Sequence, residues 1–193
     1  MLKCFILLSY IYCIFNGDVQ DYTDTKVFWS PHINLSWNMF TVRSDPKDIS
    51  GQNFSAAVYV NFEYSTRKVD SLIYVTSRAY MLPTESWRLQ SDSSLYGLIH
   101  EQGHFNIAEV SVRKFRELCA DIEPLTYFEA IKLLYTYSNR CQQFQDSLHE
   151  AYDLETNHSL SRDNQSLWNN RIDSMLAHSM DFCDSLVIIT TFR

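Results

Sequence analysis

The pentapeptide His100-Glu101-Gln102-Gly103-His104 puts two imidazoles and a carboxylate within reach of one another. On a helix the two histidines lie one turn apart on the same face, about 6 Å between Cβ atoms, and can close on one metal ion. The glutamate between them is placed to hold a water and take its proton. A catalytic zinc takes three protein ligands and keeps a fourth position open, so one ligand must come from elsewhere. Glu109 is badly placed for this, since at about 100° per residue it points roughly 180° away from His100. The position six residues beyond His104 is Val110, which cannot ligate. A later stretch, Tyr152-Asp153-Leu154-Glu155-Thr156-Asn157-His158, carries three groups able to complete the set: His158, the first choice, then Glu155 and Asp153. A carboxylate left over could orient a ligand imidazole, and all three could equally be ordinary residues at the end of a helix. Tyr152 could donate a hydrogen bond to the oxyanion formed on an attacked carbonyl, or simply belong to the core. Gly103 either clears space beside the ion or permits a close helix contact, at about 1 kcal/mol of helix propensity relative to alanine. His32, His149 and His178 have no such partner spacing and read as surface or core residues.

These groups need a scaffold. Between residues 33 and 81 the pattern is mostly strand: Val58, Val60, Phe62 and Tyr64 alternate with Tyr59, Asn61, Glu63 and Ser65, a period of two. A second β-rich run covers residues 72–81, with polar residues 66–70 as the turn between them and Pro83-Thr84 as the end of the sheet. The chain then turns helical. Residues 91–94 offer N-caps for a helix running to about Ala120, stopped by Glu123-Pro124. A second helix starts near Thr126 and keeps a three-four spacing through Phe128, Ile131, Tyr135, Cys141, Phe144, Leu148 and Tyr152. A third begins after Ser161 and carries Leu167, Trp168, Ile172, Met175 and Leu176. Strands first and helices afterwards predict an α+β fold, a small antiparallel sheet followed by the helix of the His-Glu-His motif and two more. Were residues 72–81 an edge strand beside the metal, an extended peptide could add to it through backbone hydrogen bonds.

With 193 residues and 46% hydrophobic content, 15% aromatic, the chain suits one packed domain better than two. A net charge of −7 and a pI near 5.3 argue against nucleic acid as a partner, because phosphate binding needs clustered Lys and Arg. Lys3, the apolar run of residues 4–15 and the polar Asn16-Gly17-Asp18 have the layout of a secretory signal peptide. The expectation is therefore a removable segment at residues 1–17, a mature domain at 18–193 with no transmembrane span, and a secreted or periplasmic, cell-envelope location. An uncleaved anchor or a buried strand is the plainer reading of the same run. Beyond it stand Cys119, Cys141 and Cys183, with no Cys-x-x-Cys pair to suggest a thiolate zinc site.

Residues 100–109 (His-Glu-Gln-Gly-His-Phe-Asn-Ile-Ala-Glu) and 152–158, with Ser86-Trp87, Gln165, Trp168 and more weakly Leu35-Ser36-Trp37, together resemble an uncharacterised bacterial family described as secreted zinc-dependent proteases. The matching positions span most of residues 33–175. The resemblance implies a zincin-like site with His100, His104 and His158 on one Zn2+ and Glu101 as catalytic base. Ser159 follows His158 where that family tends to have glycine, which bears on the turn presenting His158, and Asn106 stands where an acidic residue is more usual. The expected function is a secreted zinc metallopeptidase acting on a peptide or protein substrate. The alternative is a non-catalytic zinc-binding or protein-interaction module of the cell envelope.

Overall fold

The computed structural model describes residues 26–44, 55–91, 93–123 and 126–192; the expected signal segment at residues 1–17 lies outside them. Strands β1 (Val27–Phe28), β2 (Thr41–Arg43), β3 (Ala56–Ala57), β4 (Val60–Val69), β5 (Leu72–Met81) and β6 (Trp87–Leu89) precede helices α1 (Leu95–Ala120), α2 (Tyr127–Thr156) and α3 (Arg162–His178). Strand β7 (Leu186–Thr190) closes the order. The fold is α+β, as the sequence predicts.

β4 and β5 form a ten-residue antiparallel hairpin in register from Val60↔Met81 to Val69↔Leu72. Its turn is Asp70-Ser71, with Asp70 at a φ of 52°, so residues 66–69 continue the strand and are not the turn. Their side chains are exposed, and a solvated strand end tolerates polar residues on either face. The second edge of β5 is shared by β1 and β7. β5 is therefore central, and the expectation of an open edge at residues 72–81 is overturned. Nor does Pro83 end the β-structure, because β6 forms a second small sheet, parallel to β2 and antiparallel to β3. In that sheet β3 is an outer strand.

α1 occupies the middle of the molecule. Ser94 caps it by accepting a hydrogen bond from the Gly97 N–H at 3.1 Å, which satisfies one of the helix's unpaired donors. Every residue from Ile107 to Arg113 is buried, the mark of a helix covered on all sides. Against the sheet it packs Ala108, Val112, Phe115 and Cys119 onto Phe62, Ile73, Val75 and Ile189. Against α2 and α3 it packs Ile107 and Val110 onto Leu148, Tyr152, Trp168 and Ile172. Its second half also carries buried charge. Glu109 Oε1 accepts from Arg113 Nε at 2.8 Å and Arg116 Nη1 at 3.0 Å, and the two guanidinium groups donate onward to Leu176, Ser77 and Phe182 carbonyls. This network ties α1 to β5, to α3 and to the chain after α3.

α2 opens with a capping box, Thr126 and Glu129 bonding reciprocally, and this fixes its start. It ends in three consecutive left-handed residues, Asn157, His158 and Ser159 at φ of 50°, 50° and 67°. Cys119 and Cys141 are free and buried in the same core cluster, and Cys183 is free and exposed. Burial pushes the Cys119 thiol up to about 12 and Cys141 up to about 11, which keeps both protonated and inert. Among the described residues no helix is long and apolar enough to cross a membrane.

Candidate metal centre

The second turn of α1 sets His100 and His104 side by side, ring centroids 4.9 Å apart and nearly perpendicular. Asp153 of α2 faces both. Its Oδ1 lies 3.1 Å from His100 Nε2 and 3.1 Å from His104 Nε2. The three donor atoms lie within 4.8 Å of one another, and the group could hold a metal ion. Ligand atoms 2.0–2.2 Å from a tetrahedral ion stand about 3.3 Å apart, close to the two 3.1 Å separations from Asp153, and two imidazoles with one carboxylate are a chemically suitable donor set.

Each imidazole is held from behind. His100 Nδ1 lies 3.0 Å from Gln165 Oε1 on α3, and His104 Nδ1 lies 2.8 Å from His149 Nδ1 on α2. Tyr152 forms the floor. Its ring stacks on His100 at 4.6 Å and 14°, and meets His104 edge-on at 4.9 Å. Its hydroxyl donates to the His100 carbonyl at 3.1 Å and accepts from Gln165 Nε2. Gly103 explains itself here: a Cβ on it would come within 2.2 Å of the Tyr152 hydroxyl oxygen. The glycine permits the close approach of α2, the second of the two readings drawn from the sequence.

Glu101 lies 5% exposed at the mouth of this arrangement. One carboxylate oxygen, Oε2, accepts the Val58 backbone N–H at 2.8 Å. Burial pushes its pKa up, against the pull of His104, His100 and the Val58 N–H, which lower it. For Asp153 the balance goes the other way. Burial would raise it, but hydrogen bonds from His100 and His104 hold the carboxyl well below its usual range. His100 is raised although burial opposes it, because Asp153, Glu101 and Gln165 favour the protonated ring. Burial and the neighbouring His104 lower His149 to about 3.

His100, Glu101, His104, His149 and Asp153 line one cleft of about 320 Å³, which is also lined by the chain from Ser55 to Val60. That stretch has a defined polarity. Leu89 N–H donates to the Ser55 carbonyl at 2.7 Å, and Ala57 pairs with Trp87. Residues alternate in the direction of their backbone groups along a strand, so Ala56 and Val58 point theirs away from β6, toward the cleft.

The structure separates the sequence candidates. Asp153, the last of the three considered, joins His100 and His104. His158 stands beside the group and outside it, its Nδ1 3.7 Å from Asp153 Oδ1 and its side chain 43% exposed on the cleft rim. The reason is local: the left-handed turn begins at Asn157 and carries His158 past the end of the α2 face that Asp153 occupies. Glu155 points elsewhere and accepts from Trp168 Nε1 at 2.7 Å. Tyr152 is fully buried with its hydroxyl committed, so it supports the imidazoles from below and does not reach into the cleft as an oxyanion donor. Sequence reasoning passed over His149 as a core or surface residue. Its signal was present, because His149 and Asp153 are one helical turn apart, a second pair matching the spacing of His100 and His104. Val58 carried no sequence signal, since it acts through its backbone.

Comparison with protein-family models, curated proteins and solved structures finds no match to this chain. The resemblance described above therefore rests on its motif residues alone.

Proposed function

We propose that the chain is a zinc-dependent metallohydrolase cleaving peptide or amide bonds, exported by the segment at residues 1–17. The observation that carries the reading is the placement of Glu101. Its carboxylate shares one cleft with the His100, His104 and Asp153 donors, and only one of its oxygens is engaged by a backbone N–H. A divalent ion held by that trio supplies an electrophile that acidifies water and polarises a carbonyl. Zinc suits two imidazoles and a carboxylate, in the three-ligand arrangement that leaves a position for chemistry.

Glu101 is the general base. The Val58 N–H holds one oxygen, which leaves the other to accept a proton from water and return it to the departing amine. Burial raises its pKa, which strengthens it as a proton acceptor, as general bases require. An extended peptide is supported as substrate by the outer edge of β3 and the residue after it, where the Ala56 backbone groups and the Val58 carbonyl face the cleft, the Val58 N–H being held by Glu101. A strand adding there brings its own amides across from Glu101. This edge takes the place of residues 72–81, which lie inside the larger sheet.

The test is zinc per chain by elemental analysis, beside hydrolysis of a mixed peptide pool followed by mass spectrometry. The parent should hold about one zinc and His104→Ala none. Glu101→Gln should keep its zinc and lose turnover by about 10²–10⁴-fold, the usual worth of a general base. Zinc bound with no cleavage by the parent would favour the non-catalytic module. Unchanged cleavage by the glutamine variant would remove Glu101 from the mechanism.

A further inference from the structure

Two imidazole nitrogens facing each other at 2.8 Å, His104 Nδ1 and His149 Nδ1, cannot both carry protons and cannot both be bare. One donates and the other accepts. An ion on His104 must take Nε2, the nitrogen turned toward Asp153, and this leaves the ring's proton on Nδ1. We propose that His149 is the positioning residue of this centre: its Nδ1 accepts the His104 Nδ1–H and so fixes the tautomer in which His104 can bind metal.

Three observations carry this. His149 lies one helical turn before Asp153 on α2, so a single helix face supplies both a ligand and the acceptor behind another ligand. The rings meet at 4.9 Å between centroids and 47°, within range of an in-plane contact. Finally, His149 Nε2 is buried without a hydrogen-bond partner. Packing alone gives no reason to bury a polar atom in that way. The contact with His104 supplies one: it fixes where the ring sits, and Nε2 is buried as a consequence of holding Nδ1 against His104. Gln165 does the same for His100 from α3, and the two ligand imidazoles thereby take their orientation from two different helices.

The inference rests on the metal part of the proposed function and is independent of hydrolysis. Zinc affinity is measured by competition with a chromophoric chelator for the parent, His149→Leu and His149→Asn, with the melting temperature of each metal-free protein alongside. The Asn amide oxygen occupies nearly the position of His Nδ1 and can accept, whereas Leu cannot. Leu should weaken zinc binding by about 10–100-fold and Asn should restore most of the loss. Equal weakening by both, or by neither, overturns the assignment. Long-range 15N–1H spectra of the zinc-loaded parent give a second reading that needs no variant: His104 should carry its proton on Nδ1 and His149 on Nε2, and a proton on His149 Nδ1 overturns it. A parent that binds no zinc removes the metal reading and this assignment together, while zinc bound equally by parent and Leu variant removes only the assignment.

Discussion

Glu101 and Glu109 lie on the same helix and are nearly equally buried, 5% and 2% exposed, yet their surroundings differ in kind. Glu109 is closed. Two guanidinium groups meet one of its oxygens, Oε1, and donate onward to backbone carbonyls of three other segments and to the Ser77 hydroxyl. Glu101 is open: one backbone N–H reaches it, and the rest of its environment is a cleft shared with imidazoles and Asp153. A buried carboxylate met by two guanidinium groups holds a fold together, since its charge is neutralised where it lies. One that is buried and only partly satisfied is destabilising where it stands and is a group available for chemistry. Burial alone does not distinguish the two, whereas the count of partners does.

The same substitution at both positions tests that distinction with the largest effect. Glu109→Gln leaves Arg113 and Arg116 buried opposite a neutral amide and should cost about 3–5 kcal/mol, the usual penalty for removing one side of a buried ion pair. Glu101→Gln removes a charge that burial disfavours and should leave stability within about 1 kcal/mol of the parent, or raise it. Chemical denaturation of the two metal-free variants measures both. Similar losses at the two positions would break the contrast.

The open end can be resolved further by asking which of its neighbours are ligands. Asp153→Ala should reduce zinc affinity by more than His149→Leu does, on the order of 100-fold or beyond, because losing a donor to the ion costs more than losing the group that orients one. His158→Ala should change it by less than about 10-fold, because His158 stands outside the group of three donors. The reverse order would return His158 to the coordination sphere, as the family resemblance implies.

This is also where the sequence stopped being legible. Helix starts were readable because they are written locally: Ser94 and the Thr126–Glu129 box are side chains that satisfy the backbone donors of the next turn. The histidine pair on α1 was readable for the same reason, since one helical turn is local geometry. Which of the three candidates at the end of α2 would join it was not, because that depends on where the helix stops and how it is rotated. Even its buried face was misread in the first half, where Phe128 and Tyr135 are exposed and Ala130 and Leu134 are buried. A three-four spacing fits several neighbouring stripes, and large residues do not have to lie on the one that packs. β7 escaped notice because nothing local says that five residues after three helices return to the sheet beside β5.

A pH series separates the two ends by a smaller effect. In the metal-free protein His100 is raised above its ordinary 6.5, so folding favours its protonated form. The stability this contributes is complete below about pH 6.5 and lost as pH rises through the folded-state value. Glu101, raised above 4.5 by burial, acts in the same direction. Asp153, held below 3.8, contributes stability present above that value and lost only in strong acid. His149, lowered to about 3, acts the other way, its contribution present above about pH 6.5 and lost as pH falls. The metal-free melting temperature should therefore peak near neutrality and fall toward pH 8–9. Zinc should flatten or reverse the fall, because it takes the place of the protons on the donor atoms. A metal-free melting temperature that rises from pH 7 to pH 9, above the range in which the His149 contribution changes, would contradict the assigned environment of His100.

The smallest effect concerns the rim of the open end. Ser159 holds a φ of 67° at the third of three consecutive left-handed positions, a conformation costing roughly 1–2 kcal/mol for a residue with a Cβ. The family pattern it resembles has glycine there. Ser159→Gly relieves that cost but gives back about 0.5–1 kcal/mol of chain entropy in the unfolded state, so a net stabilisation below about 1 kcal/mol is expected. The informative quantity is what happens to the site. If His158 is a bystander, the variant should gain this stability with zinc affinity unchanged. If the strained turn instead holds His158 ready for the ion, loosening it should alter zinc affinity while the closed network around Glu109, some distance along α1, keeps its stability. Either result is read from the same two measurements, a denaturation curve and a zinc titration, and the second would show that backbone strain at the end of α2 belongs to the metal centre and not merely to the turn.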